Sequence, residues 1–304
     1  MRRNLLALTT ATAAFGTLLI TACGTQQSAT RPPGTPPADS GSPSCTTPGG
    51  ATTAPQLPPS SGETEETDGV RLTGAPGCQE FEVTNTTGST ATFTITYQLM
   101  SESGAALSSS RQTVDSVPPG VTVRRAAGPG GTPAGTGSTT HVRIIHARSV
   151  PTAQAPTSAG PCPPSGVHLY ADDGDAAMGL RVVGLRLRNC GTRAFTLDGY
   201  PQVQLFDAGH RAIGTVKILH GGDAVAAGTG ADGQPGPLVL KPGEGAHAGL
   251  VWRNTTGLGS DPVNAPYVRV VAKPGTAPVM VTPELDLGTT GRLAVGPWKS
   301  DGTS

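Results

Sequence analysis

Apolar and polar residues alternate over several short stretches of the chain, and this alternation predicts β-strands. Between residues 91 and 100, Phe93, Ile95 and Tyr97 fall on one side while threonines fall on the other. A period of two with β-branched residues is typical of a strand that is buried on one face. Turns rich in Gly, Pro and Asn separate such stretches. The same alternation predicts further strands at residues 80–85, 112–117, 121–125 and 142–146.

The second half of the chain continues this pattern with one irregularity. Met178, Leu180 and Val182 share one face. After Gly184 the phase changes, because Leu185 then belongs to the inner face. A glycine at a change of phase indicates a β-bulge or a bend. No stretch shows a helical period, and roughly seven to nine strands are expected in this half.

These patterns predict an all-β protein with two immunoglobulin-like β-sandwich domains, because short strands divided by Gly/Pro turns are typical of that fold. We expect the first, smaller domain at residues 63–150, a linker at 151–160 and the second domain at 161–299. The composition agrees, since 43 Gly and 29 Pro residues disfavour long helices.

Residues 1–22 have the layout of a lipoprotein signal peptide. A basic start at Arg2 and Arg3 is followed by an apolar stretch and then by small residues. The tetrapeptide from Ile20 to Cys23 resembles the bacterial lipobox, in which the cysteine thiol receives a diacylglyceryl group. This resemblance implies lipidation of Cys23, with acyl chains such as palmitate anchoring the protein at the extracytoplasmic face of the cell membrane.

Residues 23–62 are predicted to form a disordered tether rich in Pro and Thr. From Gly24 onward, Leu57 is the only large apolar residue of this segment. Such a composition cannot bury enough apolar surface to offset the entropy of ordering the chain. Its proline pairs favour extended geometry, so the segment is interpreted as a spacer between the membrane and the folded part.

The charge balance restricts the partners. The chain has 21 basic and 21 acidic residues and a formal net charge of zero. A general nucleic-acid binder needs a positive field, and no local cluster of Lys and Arg supplies one. We therefore expect no nucleic-acid partner. The expected contacts are the membrane, through the diacylglyceryl anchor, and an envelope protein or a wall polymer.

The cysteines predict disulfides. With Cys23 assigned to the lipid, four of the five cysteines remain, and an even number in an exported protein argues for disulfide bonds. Three pairings are possible. The domain boundaries favour Cys45 with Cys78 and Cys162 with Cys190. A metal site is not expected, because the chain contains no Cys-x-x-Cys segment.

Several segments of the second half carry a family resemblance. They resemble the actinobacterial domain of unknown function 4232, which is common in secreted and lipid-anchored proteins. The resemblance implies a sandwich-like domain and a cell-envelope location, and it brings no catalytic residues and no cofactor. The segments are Cys162, Leu185–Gly191 with its Asn-Cys-Gly end, Thr196–Pro201 with its Gly-Tyr-Pro end, Val203 and Leu205, Leu240–Gly243 and Leu250–Trp252.

The remaining polar residues offer little catalytic chemistry. Asp172 and Asp173 are followed by Gly174 and Asp175, but the segment lacks the ligand series of a calcium loop. The Gly228–Gly233 segment fits a dinucleotide glycine pattern, yet no helix follows it to bind a pyrophosphate. A hydrolase would have to use a dispersed set of residues. The candidates for that set are Asp172, Asp173, His168 and His220.

The best candidate for a binding surface is the long loop 220–237. It is rich in Gly and Ala and contains His220, Asp223 and Asp232. Loops of this length are usually functional or disordered. The sequence thus favours a lipid-anchored envelope protein with a binding or structural role that is not an enzyme. The alternatives are an extracytoplasmic sensor or carrier of a small ligand and a hydrolase of wall polymers.

Overall fold

The computed structural model describes residues 68–75, 78–128, 141–257 and 261–302. All of these residues fall within one compact unit, Gly41–Ser304. Apart from two single 3₁₀ turns at Thr152–Gln154 and Gly222–Ala224, every regular element among them is a β-strand. The all-β prediction is therefore confirmed for the described residues. The predicted signal peptide, Cys23 and the tether lie outside them.

The N-terminal sandwich consists of two antiparallel sheets of three strands each, in the orders β1-β2-β5 and β4-β3-β6. Residues that alternate along the strands meet between the sheets, and the rings of Phe81 and Tyr97 lie 5.2 Å apart there. The alternation of β3 is observed as predicted, since Phe93 and Ile95 are buried. The strands are β1 Val70–Ala75, β2 Cys78–Thr84, β3 Ala91–Met100, β4 Ala106–Val117, β5 Thr122–Ala126 and β6 His141–Pro151.

The C-terminal sandwich is larger. A seven-stranded sheet has the order β13-β20-β15-β9-β7, with β8 added to β9 and β21 added to β15. A four-stranded sheet has the order β12-β11-β17-β18, and the pairs β10-β14 and β16-β19 complete the fold. The strands are β7 Val167–Ala171, β8 Asp175–Ala177, β9 Leu180–Asn189, β10 Phe195–Leu197, β11 Gln202–Phe206, β12 Ala212–Ile213, β13 Lys217–His220, β14 Leu238–Leu240, β15 Gly245–Arg253, β16 Val263–Ala265, β17 Tyr267–Val271, β18 Val279–Val281, β19 Leu285–Gly288, β20 Arg292–Val295 and β21 Lys299–Ser300.

A hydrophobic core lies between the two large sheets. Leu185, Leu187 and Leu250 enter it from the seven-stranded sheet, and Val268 and Val270 enter it from the four-stranded sheet. This arrangement is sandwich-like, as predicted. The immunoglobulin-like topology and the predicted domain boundaries stay predictions.

The predicted change of phase at Gly184 does not occur in β9, and the irregularity lies on the neighbouring edge, where three residues between β7 and β8 face Val183 and Gly184. Strand β9 pairs with β15 without a register shift, and Gly184 lies opposite Gly249. Val183 and Leu185 both point into the core, so the inner face keeps its phase through the glycine. The apparent change of phase arises because Val182 is also covered, on the other face of the sheet. It packs there against the cluster formed by Ala231, Val251 and Ala294.

A fully buried asparagine holds each sandwich together at the same place, and we call this arrangement the asparagine clamp. In the N-terminal sandwich Asn85 follows β2. Its Nδ2 donates to the carbonyl oxygens of Ser89 at 2.8 Å and Val117 at 2.7 Å. Its Oδ1 accepts the backbone N–H of Thr87 at 2.9 Å. The side chain thereby joins the loop after β2 to the end of β4.

Asn189 makes the same set of contacts at the end of β9. Its Nδ2 donates to the carbonyl oxygens of Arg193 at 2.8 Å and Leu240 at 2.9 Å, and its Oδ1 accepts the N–H of Gly191 at 3.0 Å. The partners stand two and four residues after the asparagine, as in the first clamp. The third partner again ends a strand, β14, just before a Pro-Gly turn.

The backbone repeats this correspondence. The N–H groups of Asn85 and Asn189 donate to Val121 and Glu244, and the turn glycines Gly120 and Gly243 donate back to the carbonyl oxygens of the two asparagines. The strand order β1-β2-β5 corresponds to β7-β9-β15, with antiparallel pairing throughout. The two sandwiches therefore share one structural plan around the clamp.

The predicted pairing of Cys162 with Cys190 is confirmed, with the two α-carbons 5.5 Å apart. This disulfide joins the segment before β7 to the residue that follows Asn189, and so it closes the C-terminal sandwich beside its clamp. The predicted partner bond lies outside the described residues, because Cys45 and the side chain of Cys78 are not among them.

Candidate functional site

The two sandwiches meet through an ion pair between β6 and the residue before β19. Arg148 donates to both carboxylate oxygens of Glu284, with its Nε and one Nη each 2.7 Å from an oxygen. Burial alone would lower the pKa of Arg148. The hydrogen bonds and the charge of Glu284 outweigh burial, so the pKa of Arg148 is raised. Two parallel hydrogen bonds fix the orientation of both side chains.

A buried tyrosine forms a second connection between the sandwiches. The hydroxyl of Tyr267 donates to Asp68 Oδ2 at 2.9 Å and accepts the backbone N–H of Ser149 at 3.3 Å. Burial raises the pKa of Tyr267, and the charge of Asp68 raises it further. The phenol therefore stays protonated and acts as a donor to the carboxylate. Val150 and Met280 are buried beside it.

A polar cleft of about 410 Å³ opens next to these connections, and we call it the threonine cleft. Its floor is the outer face of β4-β3-β6. One row across this sheet consists of Thr113, Thr94 and Arg148, and the next consists of Arg111, Thr96 and His146. The opposite wall comes from the C-terminal sandwich. Its polar residues include Ser158, Tyr170, Asp172, Asp173, Thr282 and Glu284.

Several charged groups of the threonine cleft are engaged in hydrogen bonds and ion pairs. Arg111 contacts Asp173 at 3.2 Å across the cleft. Asp172 accepts the N–H of Gly184 at 2.7 Å and the Nε of Arg186 at 3.0 Å. A β-carbon at residue 184 would overlap the Asp172 carboxylate, so the glycine makes room for this contact. Asp172 thus has a structural partner on each of its oxygens.

His146 is the histidine that lines this cleft. Its Nε2 is 3.8 Å from Glu284 Oε1. Burial lowers the pKa of His146, and although Glu284 opposes this shift, the charges of Arg148 and Arg111 add to it. The imidazole is therefore neutral near pH 7. Because both oxygens of Glu284 are held by Arg148, this histidine–acid pair is not arranged as a free acid–base couple.

A second cleft of about 580 Å³ begins where the first ends, because Ser158 and Tyr170 line both. Arg186, Arg188 and Glu244 continue its wall. Asp301 closes the far side, where its Oδ1 lies 2.7 Å from His247 Nδ1. We call it the aspartate cleft. Tyr170 stands at the junction of the two clefts on β7.

A third cleft of about 590 Å³ adjoins the threonine cleft at its other end, where Arg148 and Glu284 line both. Asp207 and Arg211 form part of its rim. Hydrogen bonds from the Arg211 backbone lower the pKa of Asp207, and the Arg211 side chain and the N–H of Gly209 add to this effect. The three clefts, joined by shared residues, form one polar depression that we call the groove.

The sequence did not identify the groove as a unit. It placed the threonines of β3 on a polar face, but it singled out neither Arg148, Tyr170 nor Glu284. These residues belong to strands and turns that are distant in the chain, and no local motif marks them. The one signal available was the run of hydroxyl side chains on β3, which is unusual for a face that only meets solvent.

The structure separates the residues proposed for a dispersed hydrolase. Asp172 and Asp173 line the threonine cleft. His168 is buried, and its Nδ1 lies 3.0 Å from Thr157 Oγ1. His220 lies on β13, where its ring stacks on Tyr200 with the ring centres 4.4 Å apart. The four side chains therefore do not converge on a common centre.

The loop 220–237 packs on the outer face of the seven-stranded sheet. Ala231 is buried against Gly249 and Gly296, where a β-carbon would overlap it. Asp232 closes the loop by accepting the N–H of Gly228 at 2.6 Å. Asp223 is exposed. His220, Asp223 and Asp232 do not line the groove, and a binding role for them stays a prediction.

The described residues contain neither a candidate metal site nor a candidate membrane-spanning helix. They contain no group of three His, Cys, Asp or Glu side chains placed to hold a metal ion. Nor do they include a helix of the length and apolar character that a membrane crossing requires.

Comparisons with known proteins identify the C-terminal domain. Searches of curated protein sequences and of solved structures found no match to the chain. Residues 162–299 match the sequence model of a family described as Domain of unknown function (DUF4232). The match covers the disulfide, the second asparagine clamp and the residues of β7 and β9 that line the groove. This match to the DUF4232 model confirms the resemblance that the motifs of the C-terminal half predicted.

Proposed function

We propose that this chain is a lipid-anchored envelope protein of an actinobacterium that binds a partner without catalysing a reaction. Lipidation at Cys23 would hold it at the extracytoplasmic face of the membrane, with the tether as a spacer. The groove would be the binding surface. The observation that carries this proposal is the state of the charged side chains in the groove.

Six of those side chains form three opposite-charge pairs, of which the exposed pair of Arg111 with Asp173 contributes little to stability. The pairs are Arg148 with Glu284, Arg111 with Asp173 and Arg186 with Asp172. A catalytic centre needs a nucleophile or base that is free to reach the reacting atom. Groups that are held in pairs favour recognition of a partner over catalysis.

The alternative functions have weaker support. A carrier of a small apolar ligand needs a concave and mostly apolar pocket, whereas charged and hydroxyl side chains form most of the lining of the threonine cleft. A wall-polymer hydrolase would use Asp172, Asp173, His168 and His220, which the structure separates. Release of new reducing ends from a wall polymer by the purified chain would nevertheless favour the hydrolase.

Anchoring is tested with Cys23→Ala. We expect the wild-type chain in the membrane fraction and the variant in the medium, because two acyl chains at roughly 0.8 kcal/mol per buried methylene hold a protein stably on a bilayer. Mass spectrometry of the mature wild-type chain should find diacylglyceryl on the residue 23 sulfur. An unmodified N-terminus elsewhere would contradict the proposal.

Binding is tested by retention on native envelope material. We expect the full-length Cys23→Ala chain to be retained and the double variant Glu284→Ala/Asp173→Ala, which breaks two pairs in the groove, to be retained less. Asp223→Ala, exposed and outside the groove, is the matched control. Equal retention of all three chains would argue against the groove as the binding surface.

A further inference from the structure

We infer that the groove binds a linear, uncharged polysaccharide, with Tyr170 as the central contact for a sugar ring. This inference rests on the proposed binding function and specifies the chemistry of the partner. It depends on the continuity of the groove, the polar groups that line it, the balance of its charges and the position of Tyr170.

The continuity of the groove favours an extended ligand. The threonine cleft shares Ser158 and Tyr170 with the aspartate cleft and shares Arg148 and Glu284 with the third cleft. Clefts of about 410 and 580 Å³ that meet at one residue can hold successive units of a chain, whereas a single small molecule would fill only one of them.

The lining offers what sugar hydroxyls require. A hydroxyl group both donates and accepts hydrogen bonds. Thr94 and Thr113 supply hydroxyls side by side in one row of the sheet face, and Arg111 faces Asp173 so that a donor and an acceptor also lie side by side. Vicinal sugar hydroxyls fit such donor–acceptor pairs. A peptide would need apolar pockets or a free strand edge.

The edge of strand β7 at this groove is partly covered. Strand β7 lies at the edge of the seven-stranded sheet, but the linker covers part of it. The N–H of Thr157 donates to the carbonyl oxygen of Leu169 at 3.1 Å, and the Thr157 hydroxyl meets His168. Addition of a peptide strand to this edge would have to displace those contacts.

The charges of the groove favour an uncharged chain over a polyanion. Four arginines line the threonine and aspartate clefts together with six carboxylates. This acidic excess repels a polymer of phosphates or uronates. The arginines are Arg111, Arg148, Arg186 and Arg188, and the acids are Asp115, Asp172, Asp173, Glu244, Glu284 and Asp301.

Tyr170 occupies the junction of the two clefts and is half-buried on β7. An aromatic ring held at the surface presents an apolar face with little loss of side-chain freedom. That face suits the C–H side of a pyranose ring, while the flanking Thr and Asp groups suit its hydroxyls. Tyr170 is therefore the residue whose loss should weaken binding most.

The test uses the full-length chain in detergent and three probes, measured by isothermal titration calorimetry. Cellohexaose and chitohexaose are linear and uncharged, and polygalacturonate is a polyanion. We expect at least one uncharged hexasaccharide to bind and polygalacturonate not to bind. Tyr170→Ala should weaken the binding by about tenfold or more, and Tyr170→Phe should keep the affinity within about threefold.

Tyr200→Ala is the matched control, because Tyr200 is also half-buried but stacks on His220 outside the groove. It should bind the probe like the wild type. Circular dichroism of each variant separates loss of binding from loss of fold. Equal affinity of Tyr170→Ala and wild type would overturn the inference, as would binding of polygalacturonate in place of the uncharged probes.

Failure of the inference is distinguishable from failure of the proposed function. If no uncharged hexasaccharide binds while native envelope material still retains the chain, the binding function stands and the polysaccharide assignment is wrong. If neither the probes nor envelope material is bound, the proposed function itself fails.

Discussion

The two sandwiches use the same asparagine clamp but are reinforced in different ways. The N-terminal sandwich has three strands in each sheet, and Glu82 is held there between Arg71 and Arg124. The C-terminal sandwich has a larger sheet and a disulfide beside its clamp. This difference shows that the clamp belongs to the shared plan, whereas the Arg71–Glu82–Arg124 cluster and the Cys162–Cys190 disulfide each occur, among the described residues, in one sandwich.

The chemistry of asparagine explains why the clamp needs this residue. A buried side chain must satisfy two amide donors and a carbonyl acceptor. Asn85 and Asn189 each meet that requirement with backbone groups from two loops. No apolar residue can replace these contacts, and loss of the amide leaves buried carbonyl oxygens without a partner.

The largest expected effect comes from removing the disulfide of the C-terminal sandwich. Replacing Cys162 and Cys190 by Ala, across a separation of 28 residues, should lower the free energy of unfolding of the C-terminal sandwich by roughly 3–4 kcal/mol on the chain-entropy account. Both tryptophans, Trp252 and Trp298, lie in this domain. Denaturant titration followed by tryptophan fluorescence therefore reports on it directly.

Removal of the disulfide should leave the stability of the N-terminal sandwich unchanged. Amide hydrogen exchange of β2 and β3 should then keep its wild-type protection. An unchanged fluorescence midpoint would mean that the disulfide does not contribute to the difference between the domains.

The next largest effect is expected from removing the asparagine clamp, which the two sandwiches share. Asn189→Ala should lower the stability of the C-terminal sandwich by about 2–3 kcal/mol, because two buried carbonyl oxygens lose their donor. Asn85→Ala should lower the stability of the N-terminal sandwich by the same amount. Fluorescence should detect the first change and hydrogen exchange the second.

Asn264→Ala is the control for both clamps, since Asn264 is exposed on β16. The free energy of unfolding of this variant should stay within about 0.5 kcal/mol of the wild-type value. If one clamp variant leaves the stability of its sandwich unchanged while the other lowers it strongly, the asparagine does not have the same energetic role in the two sandwiches.

A smaller effect concerns the contact between the sandwiches. Tyr267→Phe keeps the ring but removes the hydroxyl that joins Asp68 to Ser149, and it should cost about 1 kcal/mol. The unfolding transitions of the two domains should move apart. Comparing the fluorescence and hydrogen-exchange midpoints measures this separation, and Tyr170→Phe serves as the control. Transitions that stay together would mean that the other contacts between the sandwiches, such as the pair of Arg148 with Glu284, suffice to couple the domains.

The smallest effect is a dependence of stability on pH. The pKa of His146 is lowered by burial from its ordinary value of 6.5. The folded state thus binds the proton more weakly than the unfolded state, so the stability is fully present above about pH 6.5 and falls as the pH decreases below it. The melting temperature of His146→Gln should decline less steeply than that of the wild type between pH 6.5 and 5. If the melting temperatures of the two proteins fell equally over this pH range, His146 would not be the source of the pH dependence.

Local patterns predicted the strands well and the groove poorly. The alternation of Phe93, Ile95 and Tyr97 depends on neighbours two positions apart, and the structure confirms it. The turn at Lys241–Glu244 follows from its Pro-Gly pair. The clamp of Asn189 with Leu240 spans 51 residues, and Arg148 with Glu284 spans 136, so no local period could indicate either.

The error at Gly184 has the same origin. The pattern around it assumed that one face of β9 meets solvent, but the loop 220–237 covers that face with Ala231. Val182 is apolar for that reason, and its position imitates a change of phase. Periodicity assigns a strand correctly but does not reveal a second layer that packs on it from elsewhere in the chain.

The order of strands in the large sheet has a consequence for folding. Strand β20, at residues Arg292–Val295, lies between β13 and β15 and pairs with β13 in parallel. Every other strand of this sheet except β21 precedes β20 in the chain. The sheet therefore cannot close until β20 inserts between two strands that come before it, and contacts of such long range form slowly.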